Sequence, residues 1–228
     1  MKGKPKKSNK SKFSDIKDDN SLALYLKKVL SRATSLGHLY HYTTFDTIKK
    51  IYLSNTLRLH KASGMNDIAE DKSIDRNGLS NHLFYSCFSL VDENAEMWNM
   101  YSNRDDGCIL GINFETARKM VDCSLQLPEQ DKSQTTEKMK IDDKPFFSSI
   151  VYYFKKEDRK NNSLECMTVY NPGYSESYEG FELVGLVKSS FWRFEKEARL
   201  IVQTEREYSD KYLELKLPDD FWSGCKII

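Results

Sequence analysis

The chain has 228 residues, enough for one large domain or two small ones. Hydrophobic residues at 39% and charged residues at 30% describe an ordinary globular composition and exclude a disordered chain. The net charge of +1 is uneven: the first 12 residues hold six Lys and no acid, leaving 29 basic and 34 acidic residues in a mildly acidic body. Such a body is not that of a nucleic-acid binder throughout its length. Five cysteines, Cys87, Cys108, Cys123, Cys166 and Cys225, lie far apart with no C-x-x-C pair. An odd, scattered set points away from a disulfide framework or zinc site and toward a reducing, cytoplasmic setting. No apolar segment follows the basic N-terminus, so a signal peptide is not expected. No apolar run approaches the ~18 residues of a membrane span.

Residues 1–20 are rich in Lys, Ser and Asp and are expected to form a solvated, disordered tail. Such a tail also offers a weak, sequence-independent contact to nucleic acid. Residues 21–36 follow as an N-terminal helical unit, in which Leu22, Tyr25, Leu26, Val29 and Leu30 share a face. The stretch LYHYTTFDTIKKIYLSNTLRL then reads as strand, helix and short strand. Thr43 or Thr44 caps the helix, and Asp46 sits in its first turn. Phe45, Ile48, Ile51 and Tyr52 form its buried face, and Asn55 is a left-handed stop. Leu57 and Leu59 alternate with Arg58 and His60 as in a half-buried strand.

Residues 61–79 read as irregular, with Asn66 and Asp67 as turn residues. Strands are expected at Leu83–Ser89, Cys108–Phe114, Ser149–Phe154, Arg199–Gln203 and Tyr212–Leu217. Cys166–Tyr170 reads as a further short strand. Gly111 inside the second of these strands suggests close backbone approach. Asp92 is placed to cap a helix carrying Ala95, Trp98 and Tyr101 on one side, with Trp98 in the core. A short helix is expected at Glu115–Val121, another through Leu183, Leu186, Val187 and Phe191, and a helical turn at Asp219–Ser223. Gln126–Lys144 is polar, without periodicity, and reads as an exposed, poorly ordered loop. Cys225–Ile228 opens a strand that stops abruptly, as in a shortened chain. Together these describe one α+β domain over residues 37–228, with short strands in two small packed sheets and flanking helices.

No GxGxxG, P-loop, HExxH or GxSxG motif occurs, which removes the common nucleotide-loop, zinc-protease and serine-hydrolase chemistries. Three elements carry the chemistry that is left. They are His41–Tyr42–Thr43 at a strand-to-helix junction, FYSCFSLVDENAEMWNMY, and Glu195-x-Glu197 leading into a strand. A helix N-terminus offers free N–H groups to anions, and paired carboxylates serve proton transfer and cation stabilisation.

Several blocks together resemble the bacterial domain-of-unknown-function family 2971. They are LYHYTTFDTIKKIYLSNTLRL, the Asn66–Asp67…Glu70 element and FYSCFS…MWNMYSNRDDGCILGINF. The strand around Tyr152, KSSFWRFEKEARLIV and LKLPDDFWSGCKII complete the set. One departure is Ile68, where that family commonly has Pro. The family implies no activity. The order His–Tyr–Thr, then Ser with aromatics, then a late Glu is also distantly similar to the ADP-ribosyltransferase superfamily. That likeness implies an ADP-ribosyltransferase-like fold and NAD as substrate, without a metal. It implies catalytic roles for Glu197, Glu195 and His41. Tyr42, Thr43, Tyr85, Ser86, Ser89, Tyr101 and Arg199 would join His41 in holding the NAD.

Two readings follow. In one, the protein transfers ADP-ribose from NAD to a macromolecular acceptor, or hydrolyses NAD, in a bacterial toxin or phage-defence setting. In the other, it is a non-catalytic binding module of such a system, with Glu197 and Arg199 in a surface ion-pair network of little energetic weight.

Overall fold

The computed structural model describes residues 37–63, 66–102, 106–128, 140–153, 165–166 and 185–228. The expected tail and N-terminal helix, residues 1–36, lie outside them. So do Leu183 and most of the polar stretches at 129–139 and 154–184.

The first elements follow their local chemistry. Strand β1 (His38–Thr44) runs into helix α1 (Phe45–Ser54). Thr44 caps that helix, its Oγ1 accepting from the Thr47 amide at 3.2 Å. Asn55 ends it at φ 50°, a conformation that Asn tolerates better than most side chains. Strand β2 (Thr56–Lys61) alternates as its sequence predicts, Leu57 and Leu59 inward and Arg58 and His60 outward. Ile48 and Ile51 are the residues that α1 buries. Phe45 and Tyr52 instead stay exposed, and Tyr52 meets Trp222 edge-on at 5.2 Å.

Next come helix α2 (Ile68–Arg76), strand β3 (Leu83–Ser89), helix α3 (Ala95–Tyr101), strand β4 (Gly107–Asn113) and helix α4 (Phe114–Met120). The stretch read as irregular between residues 61 and 79 thus contains a helix. Asp67 caps it, accepting from the Glu70 amide at 3.4 Å. Phe114 starts α4 rather than ending β4. The cap of α3 is Asn94 and not Asp92, its Oδ1 accepting from the Met97 amide at 3.1 Å.

The remaining strands are β5 (Leu125–Gln126), β6 (Lys140–Ile141), β7 (Phe146–Ser149), β8 (Val151–Tyr153) and β9 (Glu165–Cys166). They continue with β10 (Val187–Ser189), β11 (Glu197–Gln203), β12 (Tyr212–Lys216) and β13 (Cys225–Ile227). A 3-10 turn at Ser190–Glu195 joins β10 to β11, and another occupies Phe221–Gly224. The helix expected through Leu186, Val187 and Phe191 is therefore a strand and a 3-10 turn. The single strand expected at Ser149–Phe154 is two strands. They part at buried Ile150, whose amide donates to the Glu197 carbonyl at 3.2 Å. The poorly ordered loop expected at Gln126–Lys144 holds paired strand ends, with Leu125 opposite Ile141 and Gln126 opposite Lys140.

The described chain is α+β, but not as two small packed sheets. One sheet has ten strands, in the order β13-β4-β1-β3-β2-β12-β5-β6, with β11 and β7 joined to it through β3. A separate three-stranded sheet runs β10-β8-β9. Strand β3 is where the large sheet forks. One edge of β3 pairs with β11 along its length, from Leu83–Gln203 to Ser89–Glu197. Its other edge is shared: Ser89 faces Tyr40 of β1, whereas Tyr85 and Phe84 face His60 and Lys61 of β2. Between these contacts β1 and β2 part, and α1 spans them. The main core fills one side with residues such as Leu59, Phe84, Leu110, Leu200 and Phe221. Burial on that scale supplies most of the folding free energy. No helix among the described residues is long and apolar enough to cross a membrane.

Candidate functional site

The fork opens a wedge, and His41 stands in it. It lies on β1 just past the last residue that pairs with β3. Its Nδ1 is 2.8 Å from the Cys87 carbonyl. A carbonyl only accepts, so Nδ1 carries the proton and Nε2 is left as an acceptor. Burial lowers the pKa of the imidazole and His60 adds to this, against the opposing effect of the Cys87 bond. The ring is therefore neutral at ordinary pH. The flanking residue Tyr42 donates its hydroxyl to the Asp92 carbonyl at 2.8 Å, tying β1 to the approach to α3.

The opposite wall comes from the 3-10 turn and β11. Glu195 and Glu197 do not share a strand face, although two-residue spacing within one strand would give them one. Glu195 ends the 3-10 turn, and Lys196 follows at φ 43°. This left-handed residue turns the chain, and both carboxylates converge on one ammonium. Lys188 Nζ is 2.7 Å from Glu195 Oε2 and 2.8 Å from Glu197 Oε2. Tyr101 donates its hydroxyl to Glu195 Oε1 at 2.5 Å. Ser89 Oγ donates to the Glu195 carbonyl at 2.8 Å, and Asn94 Nδ2 donates to the Phe194 carbonyl, which fixes the turn against β3 and α3.

Behind this pair lies Arg199, whose side chain is fully buried. Its Nε donates to Glu197 Oε1 at 2.6 Å, its two terminal nitrogens pair with Glu70 of α2, and Nη1 also donates to the Gly185 carbonyl at 2.6 Å. The guanidinium lies over the Tyr85 ring, 4.1 Å from its centroid. The network expected at the surface is thus buried, where losing one partner is costly.

The surroundings push the pKa values of the two carboxylates apart. Burial alone would raise Glu197, but Arg199 and Lys188 outweigh it and hold its carboxyl well below the usual range. Glu195 is raised by burial and by the Glu197 charge, against the pull of Lys188. Burial would lower Lys188, yet its carboxylate neighbours prevail and keep it charged. Three carboxylates, Glu70, Glu195 and Glu197, face two cations, Lys188 and Arg199. With Glu195 ionised, one negative charge is left over.

These groups border a cavity of about 140 Å³. Tyr40, Tyr42, Phe88, Met97 and Tyr101 give it apolar and aromatic walls, and His41, Glu195 and Glu197 with Lys188 give it a polar end. An apolar cavity of ~150 Å³ admits one benzene-sized ring. Cys87 also lines it, and burial and Glu197 push the thiol pKa well up, which disfavours the thiolate. Trp98, expected in the core, is half-buried and stands behind Tyr42, edge-on at 5.8 Å.

Of the residues singled out in the sequence, the cavity brings together His41, Tyr42, Tyr101, Glu195 and Glu197. Tyr85 and Ser86 line a second, larger groove instead. Ser89 and Arg199 are buried behind the walls, and Thr43, buried on β1, borders neither opening. Sequence reasoning missed Lys188, Tyr40, Met97 and the role of Glu70. Lys188 and Glu70 both lie in blocks on which the sequence resemblance was read, which was the available signal. Among the described residues, no group of three or more His, Cys, Asp or Glu is placed to hold a metal ion.

No curated protein and no solved structure matches the chain. Residues 97–200 match the model of the family described as "Protein of unknown function (DUF2971)", a stretch that holds Tyr101, Lys188, Glu195, Glu197 and Arg199. From α3 to β11, therefore, the chain is similar to that family, as its sequence blocks had suggested.

Proposed function

We propose that the protein cleaves the nicotinamide–ribose bond of NAD and passes the ADP-ribosyl group to a macromolecular acceptor or to water. The observation that supports this most is that His41 and the Glu195–Glu197 pair, from opposite arms of the forked sheet, border one ring-sized, aromatic-walled cavity. Breaking the C1′–N bond sends its electron pair to the pyridinium nitrogen and leaves neutral nicotinamide. Positive charge then develops on the ribose. Glu197, held ionised, stabilises that charge electrostatically. The incoming hydroxyl or water bonds to C1′, and its proton goes to Glu195, whose raised pKa suits proton transfer. Carboxylates whose environments push their pKa values apart commonly divide these roles. His41 accepts a ribose hydroxyl at Nε2, and Tyr42 or Tyr101 faces the nicotinamide ring.

The test is purified protein incubated with doubly labelled NAD and bacterial lysate, following nicotinamide release and label transfer. Failure to bind NAD at millimolar concentration by a folded, full-length sample would sink the proposal.

One observation favours the non-catalytic alternative. Both oxygens of Glu197 are already engaged by Arg199 and Lys188. On that reading the cluster is structural and the cavity only recognises a partner's ring or cation. Saturable NAD binding with no nicotinamide release, alone or with lysate, would favour it.

A further inference from the structure

A groove of about 830 Å³ lies between α1 and β2. His41 and Cys87 line both this groove and the smaller cavity, so the two abut at the fork. Their chemistry differs. The small cavity is aromatic and carries the surplus carboxylate. The groove receives Lys50 from α1, Arg58 and His60 from β2, and hydroxyls from Thr47, Ser54 and Thr56. The strict alternation of β2 is what turns Arg58 and His60 outward while Leu57 and Leu59 enter the core.

Two cationic side chains, Lys50 and Arg58, line the groove. Lys50 and Arg58 face one acid, Glu214, which lies opposite Arg58 in the β2–β12 ladder and accepts from Gln126 Nε2 at 3.3 Å. Burial and the Arg58 charge lower the His60 pKa, so that ring is neutral. Lys50 makes an exposed pair with Asp46 at 2.6 Å, a weak tether. The Arg58 guanidinium stacks 4.2 Å above the Tyr212 ring centroid. A stacked guanidinium keeps its N–H fork in one plane, suited to phosphate oxygens. One carboxylate in such a groove suits a ribose diol, the partner acidic side chains take in dinucleotide folds.

We infer that this groove holds the ADP half of the dinucleotide, with the diphosphate at Lys50 and Arg58 and the adenosine ribose at Glu214. The nicotinamide ring occupies the smaller cavity, and its ribose lies at His41, where the two openings meet. The inference rests on the proposed function and adds the order of binding: a cationic ring at the acidic, aromatic end, an anionic diphosphate at the basic end, and His41 between them. A ligand of one charge would match only one of the two openings.

The test is calorimetric titration of the full chain with ADP-ribose and, separately, with nicotinamide riboside, which has no phosphate. Arg58→Gln and Lys50→Gln are both surface changes, and unchanged melting temperature checks their folding. Each is expected to weaken ADP-ribose binding by about tenfold, the worth of one charge-assisted hydrogen bond. Nicotinamide riboside binding should be far less affected, and KM for NAD should rise in step with the ADP-ribose loss. ADP-ribose that does not bind, or that binds equally well to both variants, overturns the groove assignment. The two ideas fail separately. Cleavage of NAD with KM indifferent to both variants keeps the cleavage reading and removes the groove. ADP-ribose binding that both variants weaken, without nicotinamide release from NAD, keeps the groove and removes the cleavage reading.

Discussion

His41 and Cys87 are joined across the fork by one hydrogen bond, from imidazole Nδ1 to a backbone carbonyl at 2.8 Å. It spans the gap where β1 and β3 no longer pair, and it fixes the tautomer that leaves Nε2 as an acceptor. His41→Ala leaves that carbonyl without this donor, a loss of about 1–3 kcal/mol. Burial lowers the folded-state pKa of His41 below its ordinary 6.5. The unfolded chain then binds more protons, so stability falls as pH drops through 6.5 toward the folded value. The variant should lose this part of the acid sensitivity, measured by urea melts between neutral and mildly acidic pH. It should also bind NAD more weakly. Binding equal to wild type would remove His41 from the ligand.

Glu197→Gln and Glu195→Gln should separate charge stabilisation from proton transfer. The first removes the charge opposite the developing ribose cation and should lower nicotinamide release by ~10²–10³. NAD binding should suffer less, because the cation forms only near the transition state. The second should impair transfer to an acceptor more than hydrolysis. Wild-type turnover should rise with pH through the raised Glu195 pKa, and Glu195→Gln should flatten that limb. An unchanged pH profile would leave Glu195 with no proton to carry.

The two carboxylates also act oppositely on stability. Glu197 is depressed in the folded state, so its contribution is present above its ordinary 4.5 and is lost as pH falls. Glu195 is raised, so it favours the folded state below its ordinary 4.5 and loses that advantage as pH rises through the folded value. Glu195→Gln should therefore gain on the wild type as pH rises, and Glu197→Gln should lose. Stability curves from acid to neutral pH that run parallel for all three proteins would contradict this.

Arg199 ties α2 to β11 through Glu70 and Glu197. Arg199→Met removes the cation and leaves two buried carboxylates facing each other, a cost of about 3–5 kcal/mol. Adding Glu70→Gln should return part of this loss, since the two sites share one network. Simple additivity in denaturant melts would mean that the pairing is energetically idle.

Trp98 is half-buried, so Trp98→Ala should cost about 1.5–2.5 kcal/mol, half of the ~3–5 kcal/mol of a fully packed site. Its edge contact with Tyr42 should also make the variant bind NAD less tightly, read by Tyr fluorescence. A loss of ~4 kcal/mol or more would place Trp98 in the core, as the sequence suggests.

The β1–α1–β2 segment was legible in the sequence because each of its signals is local. Thr44 caps, Asn55 stops, and Leu57 and Leu59 alternate, all within a few residues of the backbone groups they serve. Strands β3, β11 and β12 were legible for the same reason, as apolar runs bounded by polar turns. Helix α2 was not, because its cap Asp67 and its residue Glu70 are buried together with Ile74. Apolar periodicity cannot report a face that is buried by ion pairing. The forked sheet was equally hidden, since β3 divides one edge between β1 and β2 and no sequence rule encodes that division. The E-x-E pair stood out in the sequence, but the opposite pKa shifts of its two carboxylates did not. Tertiary structure decided them by bringing Lys188 to both carboxylates and Arg199 to Glu197 alone. Electrostatic interactions depend on distance and burial, and both are set by packing between elements far apart in the chain.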